Sequence, residues 1–107
     1  MSLDIWLEQE VTTEVLDMNI THNMTAMAGN AGIYQHLWRP TEVGVEFASD
    51  LIDPLTKAVA MMQDDPKRFK AFNPVNGWGS YDAFLPWLEE LLEGCKKYPR
   101  AKVGTSR

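Results

Sequence analysis

The chain has 107 residues, a hydrophobic fraction of 45%, a charged fraction of 23% and a net charge of -5. That size predicts one globular domain over residues 1–107, with enough apolar material for a core that needs no staples. No apolar run reaches the ~20 residues of a membrane span, the acidic balance disfavours nucleic acid as a partner, and the single cysteine excludes an internal disulfide.

The first segment, "LDIWLEQE", alternates. Leu3, Ile5 and Leu7 share one side; Asp4, Trp6 and Glu8 share the other. "EVLDMNIT" does the same with Leu16, Met18 and Ile20 against Val15, Asp17 and Asn19. Period two marks half-buried strands, so the two segments predict an antiparallel hairpin joined through "VTTE". After Ile20 the period changes. Met24, Met27, Ala28 and Ala31 lie on one helical face, with Thr21 or Asn23 as the capping oxygen and Gly32 just past the end. "IYQHLW" adds a further helical turn, stopped by Arg39-Pro40.

Phe47, Leu51, Leu55, Ala58, Val59 and Met62 mark the next helix. Ser49 is one candidate cap. Asp53 is the other, with Pro54 at the first helical position. "DDPKRFKAF" predicts a short helix capped by Asp65, with Phe69 and Phe72 towards the core. "NPVNGWGS" is a loop, since Asn-Pro and Asn-Gly are turn dipeptides. Ser80 or Asp82 caps the last helix, whose apolar side carries Phe84, Leu85, Leu88, Leu91, Leu92 and Cys95. Tyr98-Pro99 ends it, and "AKVGTSR" supplies a third strand beside the hairpin. The expected architecture is α+β in the order ββ-ααα-β: a small antiparallel sheet of hairpin plus C-terminal strand, packed against three to four helices.

The absence of a basic, apolar leader at "MSLDIWLEQE" and the lone thiol lead to the expectation of a cytoplasmic protein. On that expectation the two Asn-X-Thr sequons, at Asn19 and Asn23, are chance matches. Lys96, Lys97, Arg100, Lys102 and Arg107 form the larger basic group, read as cations near a helix C-terminus and on a solvated strand. His22 and His36 fit no dense metal spacing, and no metal or cofactor is expected. Cys95 reads as a small core residue rather than a nucleophile.

Chemistry is left to polar and aromatic residues in the connections. They are Asn19, His22 and Asn23 from the first junction, Tyr34, Trp38 and Arg39 from the second, and Asn73, Asn76, Trp78 and Tyr81 from the last loop. If the three segments converge, they build an aromatic-walled pocket with amide, imidazole and guanidinium groups. The competing reading makes them caps, turn formers and core plugs. The first functional expectation is a non-catalytic binding or accessory module acting on a protein partner or on itself as a homodimer, with Trp6 the foremost exposed aromatic. The alternative is a small hydrolase or transferase with His22 as general base.

"NITHN", "AGIYQHLWRP", "FNPVNGWGSYDAFLPWLEELLEGCKKYP" and the closing "SR" together resemble a family of small uncharacterised bacterial and phage-associated proteins. The resemblance runs from about Met18 to Arg107. It implies a bacterial or phage setting and carries over no catalytic residue.

Overall fold

The structure, a computed structural model, describes residues 1–9 and 13–107. The junction read at "VTTE" falls mainly on residues 10–12, outside the described residues. β1 (Ser2–Gln9) and β2 (Thr13–Thr21) pair antiparallel. β3 (Lys102–Ser106) joins the other side of β1, so the strand order is β2-β1-β3. Between them run α1 (Thr25–Asn30), α2 (Tyr34–Trp38), α3 (Ser49–Asp64), α4 (Pro66–Lys70) and α5 (Tyr81–Lys97), with 3-10 turns at His22–Met24 and Pro40–Val43. The α+β architecture expected from the alternation and the helical spacing is the one observed.

The pleat sorts β1. Leu3, Ile5 and Leu7 are fully buried on the inner face. They stand opposite Ile20, Met18 and Leu16 of β2, with a register shift after Leu7. α3 and α5 cover this face with Leu51, Leu55, Ala58 and Met62 from one and Phe84, Leu88, Leu91 and Cys95 from the other, in one apolar cluster. Each fully buried Leu or Phe contributes about 1.5–3 kcal/mol of transfer free energy. Gly94 of α5 is where helix and β2 come closest: a Cβ there would stand 2.6 Å from Leu16 Cδ2.

The outer face carries Asp4, Trp6 and Glu8, opposite Asn19, Asp17 and Glu14 on one side and Ser106, Gly104 and Lys102 on the other. Trp6 is half-buried there rather than displayed, which corrects its reading as the foremost exposed aromatic. Gly104, its cross-strand partner, has no side chain, and a Cβ at that position would overlap Trp6 Cε2, Nε1 and Cζ2. The indole therefore lies across the glycine, with Nε1 donating to Glu8 Oε1 at 3.0 Å. Trp87 reaches the outer edge of β2 and donates from Nε1 to the Asn19 carbonyl at 2.9 Å. That bond occupies an edge acceptor that would otherwise be open to another strand.

α3 begins at Ser49, so Pro54 sits in its second turn and not at the first helical position. The proline removes one intrahelical donor there. Asp50 fastens the entry instead. Its Oδ2 accepts from the backbone N–H of Phe47 at 2.9 Å and of Glu46 at 3.0 Å. Phe47 precedes the helix, bridges Lys102 and is partly exposed, so it is not part of the helical face.

The two backbone donors, that of Phe47 foremost, hold the Asp50 carboxyl below its ordinary value of 3.8. A carboxyl lowered in the folded state stabilises fully above the unfolded value, and the contribution fades as pH falls through the lower folded one. Asp50→Ala is therefore expected to cost about 1 kcal/mol at neutral pH, in the range of a lost helix-entry acceptor. Thermal melts from about pH 7 down to about pH 2 should show the gap between wild type and variant closing in the acid limb. A gap that persists undiminished at the acid end refutes the assignment.

Candidate functional site

The first junction and the last loop meet. β2 ends in Thr21, whose Oγ1 accepts from Asn23 N at 3.2 Å and caps the 3-10 turn that leads into α1. Thr21 is the cap; Asn23 is left exposed. The loop from Asn73 to Ser80 crosses this turn at Gly79. A Cβ on Gly79 would stand 2.8 Å from Met24 Cε and 2.9 Å from Thr21 Cγ2, and its φ of +98° suits glycine alone. Gly77, at φ +78°, makes the other bend.

Between these two glycines stands Trp78, 71% exposed. Asn76 Oδ1 accepts from Trp78 N at 2.9 Å and Asn73 Oδ1 from Tyr81 N at 2.7 Å. Tyr81 is buried, and its hydroxyl donates to the Met62 carbonyl at 2.8 Å. So Asn73, Asn76 and Tyr81 hold the loop, and Trp78 is what the loop holds out. The expectation that Trp78 plugs the edge of the core is overturned by its exposure.

A cleft of about 480 Å³ opens beside the indole, lined by Met1, Ser2, Asn19, Thr21, Asn23 and Trp78. None of these side chains is charged. Asn19 Nδ2 donates to Ser2 Oγ at 2.9 Å and to Asp4 Oδ1 at 2.6 Å. A carboxylate only accepts, so this pairing fixes which end of the Asn19 amide faces Asp4. It leaves Asn19 Oδ1 without a partner among the described residues.

The second junction does not line this cleft. Trp38 is 2% exposed, stacks on Tyr34 with ring centroids 5.6 Å apart, and meets the His22 ring edge-on at 6.3 Å. His22 thus joins the cluster behind the cleft wall. Trp38 Nε1 and His22 Nε2 are buried and have no hydrogen-bond partner. The expectation that the Trp38 N–H bonds a loop carbonyl is not met, because stacking on Tyr34 fixes the ring instead. Arg39 is exposed and pairs with Glu42 at 3.3 Å; neighbouring Tyr34 and then Glu42 raise its guanidinium above the ordinary value. A smaller hollow of about 230 Å³ lies at Gly29, Gly32, Tyr34, Gln35 and His36.

Of the ten candidate residues, Asn19, Asn23 and Trp78 therefore share one cleft, and His22, Tyr34 and Trp38 share the packed cluster behind it. Sequence reasoning missed Met1, Ser2 and Thr21 as lining residues. The signal available was register: Ser2 pairs with Thr21, so both side chains leave the sheet on the same side as Asn19. Cys95 is buried, and burial pushes its thiol up to about 12, which keeps it protonated at neutral pH. Among the described residues no three His, Cys, Asp or Glu side chains gather as metal ligands, and no helix is long and apolar enough to cross a membrane. No protein-family model, curated protein or solved structure matches the chain.

Proposed function

We propose that the protein is a non-catalytic binding module whose contact surface is Trp78 and the uncharged cleft beside it. The supporting observation is a large aromatic side chain held 71% in water by a loop that has no freedom to fold it away. Gly77 and Gly79 set the bends, Asn76 and Asn73 tie the backbone, and Gly79 lies on Thr21 and Met24. Exposing an indole forgoes its burial, and tryptophan dominates the centres of binding interfaces. A rigid display also lowers the ordering cost of association. The partner in this reading is a protein, in a bacterial or phage setting and in a reducing cytoplasm; the lone buried thiol of Cys95 accords with that compartment.

A hydrolase based on His22 has no comparable support. Its ring stands against Trp38, and Nε2 is buried. A general base must reach the proton it removes.

Affinity capture from host lysate tests the module. Wild type, Trp78→Ala and Trp6→Ala are compared after circular dichroism has established that all three fold. A protein retained by wild type and by Trp6→Ala but lost by Trp78→Ala is the expected result. Equal retention by all three moves the contact surface elsewhere and ends the proposal.

A further inference from the structure

We infer that the partner seated on this surface is a second copy of the same chain, docked about a two-fold axis so that each Trp78 enters the other's cleft. The inference rests on the binding-module reading and names its occupant.

The first ground is placement. A knob and a hole lie side by side on one surface, and Trp78 forms one wall of the hole it adjoins. A two-fold contact needs a self-complementary patch, in which feature i meets feature j and j meets i. Adjacent knob and hole satisfy that condition with no further matching.

The second ground is chemistry. An indole is a flat apolar body with one N–H donor that takes a partner when buried. The cleft offers a thioether from Met1, hydroxyls from Ser2 and Thr21, and amide oxygens from Asn19 and Asn23. Thioether sulfur packs well on aromatic rings. Asn19 Oδ1 is an acceptor with no partner among the described residues, because the amide nitrogen is committed to Ser2 and Asp4. The volume of about 480 Å³ falls in the range of about 300–1,000 Å³ that encloses small organic molecules, so an indole fits.

The third ground is charge. A chain with a net charge of -5 repels its copies wherever acidic surfaces meet. Asp4, Glu8 and Asp17 put such a surface on the outer face of the sheet. The cleft lining has no charged side chain, so two copies meet there without like-charge cost. A strongly basic or acidic partner would find no counter-charge among the same residues.

Sedimentation equilibrium from about 1 μM to about 1 mM covers the range of weak to moderate self-association. The apparent mass of wild type should rise from 12.1 kDa towards twice that value. Trp78→Ala, a change at an exposed side chain, should keep the fold and weaken association about 30-fold, as loss of a central tryptophan does. Asn23→Lys, which faces a like charge across the axis, should weaken it as well. Because the contact is uncharged, added salt should leave the wild-type constant nearly unchanged. A wild type that stays at 12.1 kDa throughout, or a Trp78→Ala variant that dimerises as well as wild type, overturns the inference. A monomeric wild type that still captures a different protein through Trp78 removes the second copy and leaves the module. A monomeric wild type with no Trp78-dependent capture removes both.

Discussion

Phe84→Ala should cost about 3–5 kcal/mol of folding free energy, the range measured for truncating a buried phenylalanine. Phe84 is fully buried and stacks on Trp87 with ring centroids 5.9 Å apart. It lies in the part of α5 that covers the sheet, and Trp87 in turn bonds the Asn19 carbonyl on β2. Removing the ring leaves a cavity and frees the indole that closes the strand edge. Domains of this size hold about 5–15 kcal/mol in all, so the loss is a large share of the total. Urea titration is the measurement, with the midpoint falling and the slope unchanged. Phe84→Leu, which keeps most of the volume, should cost well under half as much. A loss below about 1 kcal/mol for the alanine variant would place Phe84 outside the cohesive part of the core.

The second large effect is conditional in sign. Gly104→Ala should destabilise by about 1–3 kcal/mol, the cost of overpacking. The new methyl would overlap the Trp6 ring at three atoms, and a bicyclic ring cannot yield as the end of a leucine can. The indole must swing out, losing its cover and its bond to Glu8. In a Trp6→Ala background the same Gly104→Ala change meets no ring. There it should be neutral or stabilising by about 0.4–1 kcal/mol, since alanine restricts the unfolded chain more than glycine does. A double-mutant cycle reads the difference directly. Additive single effects would mean that the two residues do not touch across the strands.

Periodicity made the fold legible. Leu3, Ile5 and Leu7 alternate because a pleat sends every second side chain inward, and Leu88, Leu91, Leu92 and Cys95 recur because a helix turns in 3.6 residues. Such patterns depend only on local geometry, so no partner needs to be known. What went unread depends on a partner far along the chain. Trp6 looks exposed on its own strand, and its cover comes from an absent side chain at Gly104. Trp78 looks like a core plug until Gly79 is seen pressed against Thr21 and Met24. Tyr81 reads as a site residue, and only the Met62 carbonyl reveals its structural role. Pro54 was misplaced by one turn because Asp50, not Asp53, secures the helix entry.

The candidate site divides in the same way. Asn19, Asn23 and Trp78 were named in advance from residue type, and the structure brings them together. Ser2 and Thr21 carry no chemical signal and enter through strand register alone. Arg39 was grouped with the site because guanidinium often anchors ligands, yet it pairs locally with Glu42.

The strand order β2-β1-β3 has a consequence for synthesis. The middle strand is the first element to leave the ribosome, while the partner on its far side is the last. At about 5–20 residues per second, the interval between them is roughly 5–20 s for a chain of this length. Through that interval the hairpin can close, but one side of β1 holds a row of backbone donors and acceptors facing only water. The inner face of the sheet also waits, because α5 emerges just ahead of β3. The nascent chain therefore spends most of its synthesis as a hairpin and loose helices, and it acquires its cohesive core almost at once when its final segment is released.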